Sequence, residues 1–238
     1  MKKLLLITIA AVSMTLSSHA VSVDASSTGN WSGYMNWFDL NEDKTAGGFV
    51  SGAGWSAGAL PATWSGSTLT LAPNTNTYAD NINGDAGAWD YWSNSSDGGA
   101  TMGPDGGKFM QAIYKMESGT DWAGQSLNLS GTIDSNTLDS RYSVYVFGKT
   151  LVNGVWSEHQ YERVSLSSGA FSFDFNVDAG DHIAQIGFIL EGSNANPADD
   201  WGNVQISGLT ASAVPEPSTY ALIAGLAAFL FVAIRRRK

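Results

Sequence analysis

The chain is predicted to fold as an all-β protein, a two-sheet antiparallel β-sandwich of the jelly-roll kind, and three observations predict it. Strand-like segments recur at short spacing between Val21 and Ala213, with no sustained 3.6-residue period anywhere in that stretch. Asp, Asn, Gly, Ser and Thr crowd the connections. The chain has no cysteine, so no disulfide framework can hold it, and packing or bound ions must do so.

Met1-Lys2-Lys3 followed by the apolar run Leu4 to Leu16, with small residues at Ser18 and Ala20, reads as a secretory signal peptide over residues 1–20. The body that follows, Val21 to Ala213, has a length suited to one domain with a sizeable core. It holds six basic and 21 acidic residues, a net charge near −15. A surface of that sign repels phosphate backbones and anionic lipid, which excludes nucleic acid as a partner and favours divalent cations.

Ten strand-like segments are expected, over 33–40, 48–54, 67–72, 108–116, 126–133, 141–149, 161–166, 170–177, 182–190 and 203–210. Alternation is clearest where Tyr142, Val144 and Val146 face away from Ser143, Tyr145 and Phe147. It is equally clear where Phe171, Phe173, Phe175 and Val177 face away from Ser172, Asp174 and Asn176. The second pattern puts four large apolar side chains on one face, as a sheet with one face in a core requires.

The region 73–107 is long, Gly-rich and rich in Asn and Asp, and a connection of that length inside a compact domain is usually functional. It is the expected ligand-facing loop. Trp89, Tyr91 and Trp92, together with Trp122, offer flat faces on which sugar rings can lie, although a tryptophan suits a protein core equally.

Calcium is the one cofactor the residues suggest, in a structural role. Asp80, Asn81 and Asp85 in one loop, and Asp199 and Asp200 in another, supply the hard oxygens that Ca²⁺ takes in sixes to eights. Neither loop follows the EF-hand spacing, and Asn, Asp and Gly also simply make turns.

Three catalytic patterns were weighed. Gly54-Trp55-Ser56-Ala57-Gly58 has the nucleophile-elbow spacing, but Pro61 and turn residues follow where a helix is needed. Glu158 and Glu162 on one strand face would suit a secreted glycoside hydrolase, the alternative function. Their Cα atoms would lie about 13 Å apart, however, and a retaining pair needs carboxyls about 5 to 5.5 Å apart. His159 and His182 have no second ligand at zinc spacing. The expected protein is not an enzyme.

The end of the chain is a sorting tail in three parts, over 214–238. Pro215, Glu216 and Pro217 form an extended segment that cannot be helical, because the prolines fix φ and remove backbone donors. Tyr220 to Ile234 follows without a charge, roughly 22 Å as a helix and marginal for a membrane span. Arg235-Arg236-Arg237-Lys238 would stay on the cytoplasmic side. These residues resemble the PEP-CTERM signal of bacterial exported proteins. The resemblance implies an exosortase-type processing protease as partner, recognition through Pro215, Glu216 and Pro217, and transient anchoring by the transmembrane helix.

The body is also similar to a domain of unassigned activity that recurs in such surface proteins and itself resembles jelly-roll carbohydrate-binding modules. The likeness rests on Asn30-Trp31-Ser32-Gly33-Tyr34-Met35-Asn36, Leu71-Ala72-Pro73-Asn74-Thr75-Asn76, Ala123-Gly124-Gln125, Leu129-Ser130-Gly131-Thr132 and Ile186-Gly187-Phe188 with Gly192. It implies a fold and no catalytic residues. The expectation is therefore an exported cell-surface or matrix protein whose sandwich binds polysaccharide or serves a structural role.

Overall fold

The computed structural model describes residues 23–79, 92, 105–152, 157–180, 182–215 and 225–226. The body is the expected sandwich, with eleven strands among the described residues. They are β1 (Trp31–Leu40), β2 (Ala46–Trp55), β3 (Ala62–Ser65), β4 (Thr68–Leu71), β5 (Asp105–Ser118), β6 (Gln125–Asn136), β7 (Ser143–Val152), β8 (Ser157–Ser165), β9 (Gly169–Asn176), β10 (His182–Ala195) and β11 (Val204–Pro215). One short helix, α1 (Asn76–Ala79), and a 3₁₀ turn over Thr120–Trp122 complete the described elements.

One sheet has six strands in the order β2-β1-β5-β10-β7-β8, the other five in the order β3-β4-β11-β6-β9. Every pairing is antiparallel. Strand β5 passes from the first sheet to β6 in the second, and β9 returns from the second to β10 in the first. Ser118 pairs with Ala184 on one side of this corner and Ser126 with Asn176 on the other, so the two strands cross together as a ribbon. That wrapped ribbon is the jelly-roll device. Trp122 sits at the corner, 5% exposed. The backbone there is tied by Gly124 N–H to Val177 O (2.9 Å) and Val177 N–H to Gln125 O (2.9 Å).

The core lies between the sheets and follows the alternation. Val144, Val146, Ile186 and Phe188 face inward from the six-stranded sheet, meeting Leu127, Leu129, Phe173 and Phe175 from the other. Gly148 is needed where they meet, since a Cβ there would lie 2.3 Å from the Phe175 ring. Aromatic rings fill one end: Trp31 stacks on Tyr114 at 4.8 Å between centroids, and Trp64 Nε1 donates to the Tyr114 hydroxyl at 2.9 Å. Burial pushes the Tyr114 phenol up from its usual range, and the Trp64 hydrogen bond opposes that.

The unexpected strand is β3, read from sequence as turn because Pro61 and small polar residues surround it. It forms because a hairpin to β4 supplies its partner, Trp64 opposite Leu69. Strand β11 runs through Pro215, two residues into the stretch expected to be sorting signal. Proline is tolerated there because β4 pairs only with Val204 to Ile206, leaving one side of the strand end free. The expected signal peptide over 1–20 and most of the tail, including Glu216, Pro217 and all but two residues of the expected membrane helix, lie outside the described residues. Among the described residues no helix is long and apolar enough to cross a membrane.

Candidate functional site

The six-stranded sheet turns a second face away from the core, and its side chains are not those of an ordinary solvated surface. Antiparallel register sets them in rows across the strands, because residues directly opposite share a face. One row runs Asn36, Gln111, Glu191 and Ser143; the next runs Tyr34, Ile113, Ile189 and Tyr145. Beyond these come Lys115, Gly187, Phe147 and Arg163, then Glu117, Gln185, Lys149 and Tyr161. Ile113, Phe147 and Ile189 are each 2% exposed or less although among the described residues no second sheet covers them, and Tyr145 packs on them. Arg163 lies over the Tyr145 ring at 4.1 Å, a cationic lid on the apolar strip.

Polar groups tie the strands together on this face. Asn36 Nδ2 donates to Gln111 Oε1 (2.9 Å), Gln111 Nε2 to Glu191 Oε2 (3.2 Å), and Arg163 Nη1 to the same Glu191 oxygen (2.9 Å). In the last two rows, the Lys115 ammonium and the Gln185 amide both donate to Glu117 Oε2. Burial pushes the Glu117 carboxyl up, but these two hydrogen bonds and the nearby cations outweigh it and hold the group below the usual glutamate range.

Between these ties the face opens into a groove of about 580 Å³, lined by Gly33, Tyr34, Asn36, Gly54, Ile113, Lys115, Glu117, Lys149, Leu151 and Gln185. Tyr34, 36% exposed, is the aromatic face at its rim. Its ring lies over Gly52, where a Cβ would come within 2.9 Å of it. Burial pushes the Lys149 ammonium down from its usual range; the charge of Lys115 adds to this, while Glu158 and Glu117 oppose it.

The described ones among the binding and metal candidates of the sequence fall elsewhere. Asp80, Asn81, Asp85, Trp89 and Tyr91 lie outside the described residues. Trp92 is half-buried and packs on the core, its ring 5.8 Å from Trp37 and its carbonyl accepting from Asn194 Nδ2 at 2.9 Å. Trp122 is buried in the core itself, so neither of these two presents an open platform to a sugar. The reason is common to both: a tryptophan buries large apolar area, and every described tryptophan of this chain spends it in or against the core.

Asp199 and Asp200 are exposed and serve turns. Asp199 N–H donates to Asn196 O (3.3 Å), and Asp200 Oδ1 accepts from Gly202 N–H (3.0 Å). Among the described residues no group of three or more His, Cys, Asp or Glu side chains could hold a metal ion. Ser56 also serves a turn, its hydroxyl accepting from Ala59 N–H at 3.3 Å. The side chains of His159 and His182 lie outside the described set.

The glutamate pair of the hydrolase alternative is separated by a β-bulge. Gln160 stands opposite Thr150, yet Glu158 stands opposite Leu151, so one extra residue of β8 intervenes and the strand changes face. Glu162, opposite Gly148, points with the inward set, and Glu158, opposite Leu151, with the groove. Residues 158 and 162 do not share a face, contrary to the expectation from simple alternation.

The outer-face groove itself went unrecognised in the sequence. Its signal was there in β7, where the outward positions Tyr145, Phe147, Lys149 and Leu151 are as large as the inward ones.

Residues 213–238 match the PEP-CTERM protein-sorting motif. No curated protein sequence matches the chain. Among solved structures, the enzymatically active domain of bacteriophage CBA120 tailspike protein 4 is 11% identical over 45% of this chain and 14% of that one, with a TM-score of 0.32. A structure described as "CBM4 structure and function" is 16% identical over 67% of this chain and 84% of that one, with a TM-score of 0.30. Likeness at this level carries no functional argument, and the sandwich stands on its own strand pairing. The matched motif makes the chain an exported sorting substrate.

Proposed function

We propose that this is a surface protein, released or anchored by an exosortase-type protease acting at Pro215-Glu216-Pro217, whose sandwich binds polysaccharide without cleaving it. The observation that carries the binding half is the groove on the outer face of the six-stranded sheet. It combines an exposed tyrosine ring, an apolar floor of Ile113 and Leu151, and amide and charged groups at Asn36, Gln185, Lys115 and Glu117. Sugar rings present apolar CH faces to aromatic rings and hydroxyls to amides and ions, so this mixture suits them. The volume is in the range of small-ligand sites, enough for a short run of sugar units at a time.

The use made of the described carboxylates supports reading the role as binding. Glu117 and Glu191 are engaged in hydrogen bonds across strands, and the one acidic pair suggested by sequence is split between faces.

The test is affinity electrophoresis of the detergent-solubilised full-length chain through gels containing soluble polysaccharides. Retardation is expected with at least one of them, weakened about tenfold in Tyr34→Ala, the loss of one stacking contact. Retardation that Tyr34→Ala leaves untouched would move the site off this face.

A further inference from the structure

The groove carries more positive charge than the rest of the body leads one to expect. Six cations serve a body with 21 acids, and three of the six, Lys115, Lys149 and Arg163, project from the outer face of one sheet. Two of the three are already committed. Arg163 pairs with Glu191 at 2.9 Å and covers Tyr145, and Lys115 pairs with Glu117. Lys149 is different: among the described residues its ammonium makes no hydrogen bond and no ion pair, though it lines the groove. On the strand to either side stand Gln185 and Tyr161, the latter 39% exposed. The charges of Glu158 and Glu117 offset only part of what burial costs this half-buried ammonium, and a bound anion would supply the direct acceptor that it lacks among the described residues.

We infer that the groove selects saccharides bearing an anionic group, a uronate carboxylate or a sulfate ester, which pairs with Lys149 while the ring lies against the flanking tyrosine Tyr161. This rests on the polysaccharide reading above and names the class of sugar. General attraction cannot account for such binding, because a body near −15 repels polyanions at long range. Only a local site can overcome that, and Lys149 is the cation left to make one.

Matched pairs of polymers test this on the wild-type full-length chain: polygalacturonate against its methyl ester, and dextran sulfate against dextran. Binding of a charged polymer at least about tenfold tighter than its neutral counterpart is expected, with the arm that responds identifying the anion. In Lys149→Gln that preference should fall to near parity while Lys149→Arg keeps most of it, circular dichroism confirming the sandwich in both. Equal affinity for charged and neutral partners, weakened by Tyr34→Ala, overturns the anionic preference and leaves the groove as a neutral-sugar site. Binding to none of these polymers, nor to any neutral polysaccharide, overturns both readings. A preference for the anionic polymers that survives in Lys149→Gln overturns the role given to Lys149.

Discussion

The two outer faces of the sandwich obey the same alternation and look nothing alike. On the five-stranded sheet the outward residues are short and polar, and they satisfy one another. Asn128 Nδ2 donates to Ser172 Oγ and to Asp174 Oδ1, both at 2.8 Å, the Ser130 and Thr210 hydroxyls pair at 2.9 Å, and Ser207 Oγ donates to Asp134 Oδ1 at 2.9 Å. On the six-stranded sheet the outward residues are long, aromatic or charged, and three of them are as buried as the core. A solvated face needs only the first kind. The second kind orders costly side chains on a surface that no other described sheet covers, so it is the face where binding is to be sought.

The sharpest way to break this contrast is to truncate one outward residue on each sheet. Phe147→Ala removes a ring with no exposed surface and is expected to cost about 3–5 kcal/mol in urea unfolding, as a core phenylalanine would. Ser130→Ala, outward on the other sheet, should stay within about 0.5 kcal/mol. Similar losses from the two variants would make the faces equivalent and remove the argument for a site.

That asymmetry also marks what the sequence could and could not tell. The inward sets of β7 and β9 were legible: Tyr142, Val144, Val146, Phe173, Phe175 and Val177 are all buried where alternation puts them. Alternation also assumes that the other face is wet, so it places Phe147 with Ser143 and Tyr145 and does not signal its burial. The bulge in β8 was invisible for a related reason. Nothing in Glu158-His159-Gln160-Tyr161-Glu162 signals the extra residue, which is set by the pairing with β7. Trp92 and Trp122 could not be assigned from sequence because ring chemistry is the same for a core and for a sugar platform, and only burial separates them.

A smaller effect sharpens the comparison through pH. Glu117 is held below the usual glutamate value near 4.5 by Lys115 and Gln185, so on acidification the unfolded chain takes up this proton before the folded one does. The contribution is complete above the usual value and is lost as pH falls through the lower folded one. Urea midpoints of the wild type and Glu117→Gln should therefore converge as the pH is lowered below the usual glutamate value near 4.5. The Asp174→Asn variant, whose carboxylate accepts from Asn128 on the other face, serves as the comparison. Parallel curves for Glu117→Gln and wild type as the pH is lowered would mean the Lys115–Glu117–Gln185 cluster adds nothing to stability.

The smallest expected effect separates stability from binding at a single position. Burial holds the Lys149 ammonium below its usual range, so its charge works against the fold, and stability tied to this group rises as pH climbs through the folded value. Lys149→Met keeps the stem and discards the charge, so its urea midpoint at neutral pH should equal or slightly exceed that of the wild type. The same variant should lose the preference for anionic polymers. A folded chain that is no less stable but no longer discriminates charge is what a binding cation leaves behind when it is removed. A lower midpoint would instead mean that the ammonium itself helps hold this face together, through the charges of Glu158 and Glu117 beside it.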